Sequence, residues 1–343
     1  MRCRKASINR IAGQARIGTQ SAVASLHRYP LIFNPRARSQ RGRRALQFLA
    51  EKAEHFELFA TNHEDEAREL AARFAAAGEP VVIAAGGDGT LNAVVRGLAG
   101  SNTALAILPT GTMNVFAREL GIPFDNLASA FEVIERGFVR EIDLFEANKA
   151  PFVQMAGVGF DAKVIETTTW ESKKALGPLA YLVAAVRVLG EHPPQMEVLC
   201  ADGRRETGVA VLAGNGALYG GPFKFFRKAS NQDSMLDVLV YKEAGYRLVF
   251  DLLRGLAAGG VDLVSSACYL QTADFVVRAD GEVPVEVDGE LLGRFSEVRF
   301  AETSSHLRVI APEWPQRSGL GEAFRNLFKW PRRPSAPLAS QPS

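Results

Sequence analysis

Residues 80–90 read Pro80-Val81-Val82-Ile83-Ala84-Ala85-Gly86-Gly87-Asp88-Gly89-Thr90. A short apolar, β-branched run stops in a glycine cluster, and the residues from about Leu91 read as a helix. Glycines at such a junction permit positive φ and let backbone N–H groups come close to an anion. The helix N-terminus behind them adds partial positive charge. Asp88 is the odd member, because a carboxylate repels phosphates. It makes chemical sense if it holds Mg²⁺, orients a metal-bound water, or takes a proton from an attacking hydroxyl. The plain alternative is a tight turn with Asp88 as a helix N-cap.

The same layout recurs on either side. Tyr29–Phe33 is a strand-like run closed by Asn34-Pro35, and Phe56–Ala60 is another. Glu64–Ala77 has helical composition, with Leu70 and Phe74 four apart. Ala104–Leu108 is a fourth strand, followed by Pro109-Thr110-Gly111-Thr112-Met113-Asn114 and a helix from Val115 to Leu120. Strands alternating with helices predict an α/β domain over 28–140, a parallel sheet with helices on both faces. In such sheets ligands bind outside the carboxyl ends of the strands. The loops after Phe33, Ala84 and Leu108 are therefore the candidate site. Thr110 and Thr112 can donate to phosphate oxygens, and Asn114 can bond a ribose or a backbone group. Arginines at 36, 38, 41, 43 and 44 follow Asn34-Pro35 and include possible phosphate clamps.

After about residue 140 the rhythm changes. Val139–Ala147 and Phe152–Gly157 read as strands, and Leu176–Leu189 as one substantial helix. From Met196 onward come short apolar runs at 196–201, 207–213, 235–241, 268–279, 283–288, 294–300 and 306–310, with a helix at about 245–258. Close spacing with Asp-Gly turns predicts an antiparallel β-sandwich domain over 141–312, with a cleft between it and the first domain. Asp280-Gly281-Glu282 reads as the hairpin turn between two of these strands.

Composition sets the outer limits. The chain has 343 residues, 47% hydrophobic and 23% charged, which excludes wholesale disorder and allows two domains. Three scattered cysteines, Cys3, Cys200 and Cys268, offer neither a zinc ribbon nor a disulfide framework. No apolar run is long enough to span a bilayer; Gly177–Leu189 is short and carries Arg187. Residues 1–50 carry +11 and residues 311–343 carry +3, so the body between them carries −12. The basic arm, 1–27, and the basic end suggest an anionic contact, phosphates or a membrane surface. In the tail, 313–343, Leu320, Ala323, Phe324, Leu327 and Phe328 recur at helical spacing, as in an interfacial helix, or one docked on the protein's own core. The Pro/Ser-rich end beyond it reads as disordered.

Gly86–Thr90 together with Leu108-Pro109-Thr110-Gly111-Thr112-Met113-Asn114-Val115-Phe116 resembles the diacylglycerol kinase catalytic-domain family. That family includes diacylglycerol, sphingosine and ceramide kinases and bacterial lipid kinases. Further matches run in the family's order over about residues 29–311: Asn34-Pro35, Glu141–Leu144, Ala156–Ala162, Lys174–Tyr181, Asn215 with Tyr219–Gly221, Asp233–Asp237, and Val285–Gly293. There are departures. Val115 stands where many members carry Asp, and Ser234 replaces the Gly of a segment that in some bacterial members binds a structural Mg²⁺. The usual Ser-Gly after Asn-Pro is also missing.

The resemblance implies an ATP-dependent lipid kinase, cytoplasmic and peripherally attached to an anionic membrane. ATP would lie on Asn34, Gly86, Gly87, Asp88, Gly89, Thr90, Thr110, Gly111, Thr112 and Asn114. Mg²⁺ would be held by Asp88 and Glu290, with Asp233 and Asp237 as a structural Mg²⁺ pair. Asp143 would contact the substrate head group or the metal-bound water network. Of the two Asp-Gly-Glu copies, the second matches the family by its flanks, which gives Asp288 and Glu290 the catalytic role. Either Asp288 or Asp88 would be the base; the sequence does not choose. The apolar helix at 176–189 would line an acyl channel or be buried at the domain junction. A nucleic-acid partner is not expected, and a homodimer is compatible with a sequence silent on oligomeric state. Two other readings stand beside this one. An NAD kinase shares the glycine loop but has a different second motif. A homologue without turnover would bind nucleotide or lipid only. The lipid itself is not legible.

Overall fold

The computed structural model describes residues 28–35, 40–159, 162–163, 193–243 and 267–313. Outside them lie the basic arm, Arg36 and Arg38, Phe160 and Asp161, the helices expected at 176–189 and 245–258, and the segment after 313.

The first half alternates as expected: β1 (Tyr29–Phe33), α1 (Gln40–Glu51), β2 (Phe56–Ala60), α2 (Glu64–Ala76), β3 (Val81–Gly86), α3 (Asp88–Leu98), β4 (Ala104–Pro109), α4 (Val115–Glu119), α5 (Leu127–Arg136) and β5 (Val139–Ile142). Strands β2-β1-β3-β4 lie side by side in that order, all parallel. β4 is buried along its whole length, and Leu31, Ile83 and Leu105 are 0% exposed. Burial on both faces leaves β1, β3 and β4 no polar side, so they read as continuous apolar runs. Leu105→Ala would cost about 2–5 kcal/mol, as a buried leucine truncation does. The helices obey local rules too. The Asn126 side chain caps α5 by accepting the Ala128 and Ser129 N–H groups, and Gly137 ends it at φ 65. The strand order reverses between β1 and β3, which opens a crevice at their carboxyl ends.

The second half is β6 (Phe145–Ala147), β7 (Ala150–Phe152), β8 (Met155–Gly159), β9 (Met196–Cys200), β10 (Arg205–Gly208), β11 (Ala210–Gly214), β12 (Leu218–Tyr219), β13 (Phe223–Lys224), β14 (Leu236–Tyr241), β15 (Ala267–Thr272), β16 (Asp274–Val287), β17 (Glu290–Glu302) and β18 (Leu307–Ile310). All but β12, β13 and β18 join a ten-stranded antiparallel sheet. Val211 and Ala213 of β11 pack into the core on one face with Phe145, Phe152, Phe275 and Phe300; Ala210 and Leu212 pack on the other with Phe226 and Tyr241. Burial on both faces explains why β11 and β14 show no polar alternation.

Four expectations change. Val139–Ala147 is not one strand: the chain leaves the first sheet after Ile142 and enters the second at Phe145. Leu307–Ile310 does not belong to the β-rich sheet. It returns to the first one, parallel to β4 and antiparallel to β5, because Leu307, Val309 and Ile310 bury in that core. The first sheet is therefore mixed. Phe152–Gly157 is broken by a bend at Val153-Gln154 between β7 and β8. Asp280-Gly281-Glu282 is not a turn: it lies exposed within the long β16, at a register shift between Arg278 and Val283. The hairpin turn is Asp288-Gly289, since Val287 pairs with Glu290.

Candidate functional site

The two glycine loops of the first sheet touch. Thr110 and Gly111 both donate backbone N–H groups to the Gly86 carbonyl, at 2.9 and 3.2 Å. A Cβ on Gly111 would stand 2.4 Å from the Gly87 Cα. Only glycines can face each other there. Asp88 then ties the loops together. Its carboxylate does not cap its own helix but crosses to the other loop, accepting the Asn114 N–H at 3.0 Å and the Val115 N–H at 2.7 Å. It thus supplies the cap that α4 lacks locally, Asn114 having left-handed backbone at φ 48. Burial pushes the Asp88 carboxyl up; the Val115 and Asn114 N–H groups and the Arg118 charge oppose it. The Asn114 side chain is spent within its own loop, accepting from Gly111 N and donating to Gly111 O. Of the two partners expected for Asn114, ribose or backbone, the structure supplies the backbone.

The second Asp-Gly-Glu enters from the other domain. Asp288 and Gly289 have φ 50 and 82, the paired positive values of a two-residue hairpin turn, which Asp-Gly suits. The Asp288 carboxylate reaches back to the β7–β8 bend and accepts the N–H groups of Val153, Gln154 and Met155 at 3.0, 2.9 and 3.0 Å. Burial pushes its pKa up against those bonds and the Arg96 charge. Glu286, wholly buried, accepts the Gly289 N–H at 2.8 Å. The turn is thereby fixed, and it carries Glu290 onto α3. There Glu290 pairs with Arg96 at 2.8 Å and accepts weakly from Asn92 at 3.4 Å, while Asn92 also donates to the Asp288 carbonyl at 2.9 Å. Glu290 Oε1 and Glu64 Oε1 both point over Gly89, 3.8 and 2.6 Å from where a Cβ on Gly89 would be. Burial pushes Glu290 up; Arg96 lowers it and the Glu64 charge raises it further. Two oxygen donors thus converge beside the glycine loop, in a cleft built by both domains.

The other expected residues are distributed around this centre. Asn34 lines a shallow crevice with Phe33, Pro35, Gly42, Ala45, Leu46, Leu49 and Thr110, at the reversal point of strand order. Thr90 packs against Gly86, and Thr112 is exposed at the loop tip. Asp143, 3% exposed, sits where the chain passes between the sheets. Its Oδ2 accepts the Ser234 N–H at 2.7 Å and its Oδ1 faces His306 at 3.4 Å. Asp233 accepts the Met235 N–H, whereas Asp237 is bonded to Tyr269 and Gln271 on the β14–β15 face, so the two carboxylates have separate partners.

Sequence reading passed over Glu64, Asn92, Arg96, Glu119 and Gln154. Asp88, Asn92 and Arg96 are four apart, a polar line along one face of the otherwise apolar α3, and that spacing was legible. Glu119 accepts from Gln154 and from the Leu218 N–H, at 2.9 and 2.8 Å, a second tie between the domains that no local pattern announces.

Comparison with known proteins identifies both halves of the chain. Residues 28–147 match the diacylglycerol kinase catalytic domain, and residues 154–311 match the YegS C-terminal NAD kinase beta sandwich-like domain. A probable YegS-like lipid kinase of Pseudomonas aeruginosa is 35% identical over 257 residues, 74% of this chain and 83% of that protein. A diacylglycerol kinase of Bacillus subtilis is 30% identical, over 68% of this chain and 78% of that protein. The crystal structure of a diacylglycerol kinase from Bacillus anthracis superposes with a TM-score of 0.68 at 25% identity, covering 83% of this chain and 97% of that one. The chain belongs to the diacylglycerol kinase catalytic-domain family, with the two-domain build of its YegS-like lipid kinase members.

Proposed function

We propose that this member of the diacylglycerol kinase family transfers the γ-phosphoryl group of ATP to the hydroxyl of a lipid, with Glu290 as the general base. The observation that carries the reading is the meeting of Glu290 with Gly89 across the domain cleft. A carboxylate from one domain is aimed at the phosphate-type loop of the other.

The roles follow from the contacts. The backbone N–H groups at the start of α3, with Thr112, would hold the ATP phosphates. The crevice beside Asn34 would take the nucleoside end. Asp88 fixes the loops in register and Asp288 fixes the turn that presents Glu290; both are positioning residues in this reading. Glu290 accepts the proton of the lipid hydroxyl as that oxygen attacks the γ-phosphorus, and ADP departs with the pair of the broken P–O bond. Its burial raises its basicity above that of a free glutamate, which helps it take the proton. Of the oxygen donors at this place, Glu64 and Glu290 converge over Gly89 and fit Mg²⁺, while both oxygens of Asp88 are taken by the Asn114 and Val115 N–H groups. When bound, Mg²⁺ would neutralise phosphate charge. Val115 contributes its N–H to Asp88, and position 115 offers no carboxylate of its own. No described helix is long and apolar enough to cross a membrane.

The test is transfer of label from [γ-³²P]ATP to diacylglycerol, monoacylglycerol, sphingoid base, ceramide and phosphatidylglycerol in mixed micelles, with NAD alongside. The expected product is one labelled lipid, lost in Glu290→Gln while ATP binding persists. Labelled NADP would overturn the acceptor. ATP binding without any product would overturn catalysis.

A further inference from the structure

Gln154, at the β7–β8 bend, holds two parts of the molecule at once. Its backbone N–H, with those of Val153 and Met155, is accepted by the Asp288 carboxylate, and the Asp288 N–H returns to the Met155 carbonyl at 2.7 Å. Its side chain donates to Glu119 Oε2 and to the Leu218 carbonyl, both at 2.9 Å. The same Glu119 oxygen accepts the Leu218 N–H at 2.8 Å, so Gln154, Glu119 and Leu218 close a small cycle. The cycle is held in place: Gln154 is 5% exposed, and a Cβ on Gly216 would stand 2.2 Å from its Nε2. Glu119 ends α4, where a carboxylate is locally unfavourable, because the carbonyls at a helix C-terminus already carry partial negative charge. The bonds across the domains, with the nearby Arg140 charge, offset that cost. The other end of α4 is tied to the first glycine loop, since Asp88 accepts the Asn114 and Val115 N–H groups. Just before it, Met113 lies 2.4 Å from where a Cβ on Gly221 would be, a further contact with the second domain. α4 therefore bridges Asp88 and the bend that holds Asp288.

We propose that α4 is the strut that sets Glu290 over Gly89, with Glu119 and Gln154 as positioning residues for the transfer; this rests on the reading of Glu290 as the base. The contacts form a closed circuit. Asp88 holds α4, Glu119 at its end holds Gln154, and Gln154 holds Asp288. The Asp288 turn carries Glu290, which pairs with Arg96 of α3, the helix that Asp88 begins. A circuit closed through both domains fixes the turn relative to the glycine loop. Opened at Glu119, the bend loses its tie to α4 and the turn can drift. A shift of about 1 Å in a reacting group costs up to about a hundredfold in rate. The bonds of Glu119 go to Gln154 and Leu218, so its effect on the rate passes through the turn.

Glu119→Ala in the full chain tests this. Glu119 is half-buried, so the variant should fold, and urea unfolding checks it. Hydrogen–deuterium exchange read by mass spectrometry needs no turnover. In Glu119→Ala the amides of residues 153–155 and 286–291 should exchange about tenfold faster, while those of β4 keep the parental rate. Unchanged exchange at the bend and turn would overturn the proposal, kinase or not. In the labelled-ATP assay Glu119→Ala should lower kcat about tenfold with the KM for ATP within about twofold. Added to Glu290→Gln it should cost nothing further, because the two residues act as a unit. Equal losses in both backgrounds would make Glu119 a general support of the fold and overturn the positioning role. Glu119→Gln keeps an oxygen that can accept both bonds, so it should recover the parental exchange and most of the rate; a Gln variant as impaired as Ala would overturn the hydrogen-bonded strut. A parent chain that labels no lipid would sink the reading of the function instead, and exchange alone would then decide whether Glu119 holds the turn.

Discussion

The chain carries the tripeptide Asp-Gly-Glu twice, at 280–282 and at 288–290, and the two copies do unlike things. Both lie on the β16–β17 hairpin, and both glycines have positive φ, 112 and 82. The first copy is an exposed bulge inside β16, with open space around Gly281. The second is the hairpin turn itself, its Asp carboxylate locked by the β7–β8 bend and its Glu delivered to α3 of the other domain. The difference teaches that a local motif supplies a backbone shape and a pair of carboxylates, while the surroundings decide their task. Turn geometry is short-range. Burial, and the pKa shifts it brings, depend on which sheet closes over the motif.

Substitutions matched between the copies put this comparison at risk, and the largest expected difference comes from the glutamates. Glu290→Gln should lower kcat about 10³-fold if Glu290 is the base, while Glu282→Gln should leave it unchanged. Steady-state assay with labelled ATP measures both, and equal effects would dissolve the distinction.

The aspartates come next. Asn cannot accept three N–H bonds through two equivalent oxygens, so Asp288→Asn should leave buried donors unpaired and cost about 2–3 kcal/mol. Asp280→Asn, on the exposed bulge, should stay within about 0.5 kcal/mol. Urea unfolding separates them. A stable Asp288→Asn without kcat would instead make Asp288 a participant in proton transfer.

Charge around Glu290 gives a smaller, directional effect. Its folded pKa is raised above 4.5, so the native chain keeps this proton to higher pH than the unfolded chain does. Its contribution to stability is therefore full below 4.5 and is lost as pH rises through the folded value. The rate limb that depends on ionised Glu290 should rise above the ordinary glutamate range. Since Arg96 lowers this pKa, Arg96→Ala should move the limb to still higher pH. A limb unmoved by Arg96→Ala would remove Glu290 from the rate law.

The glycines should differ least. Gly281→Ala and Gly289→Ala each force an L-residue to positive φ with nothing within 4 Å of the new Cβ. Each should cost about 1 kcal/mol in thermal unfolding. A much larger cost at Gly289 would mean that the turn is strained by the cleft and not merely held in it.

Much of the first domain was legible in the sequence because its signals are local. Val81–Gly86 is buried on both faces and ends in glycines; that pattern alone fixed a strand, a loop and a helix in order. The same holds for Ala104–Pro109. The roles inside the loops were not legible. Asp88 reads in the sequence as a metal-holding or proton-accepting carboxylate, with a cap for its own helix as the plain alternative, and its carboxylate caps α4, because the Gly87–Gly111 contact brings a second loop within reach. Spacing alone lets both Asp-Gly-Glu copies turn a hairpin, and the register of β16 on β17 puts the turn at the second. Leu307–Ile310 is a short, mainly apolar run like those of the β-rich domain, and nothing in it says which core it enters.

The sequence by itself determined the alternating first domain, the antiparallel second one and the glycine loops at the strand ends, since periodicity, glycine and Asp-Gly act over a few residues. Only the tertiary structure decided what the carboxylates meet. Glu290 with Glu64 above Gly89, and Glu119 with Gln154 between the domains, join residues far apart in the chain. Such meetings depend on how two sheets exchange strands, and the burial that tunes these groups exists only after both cores have closed.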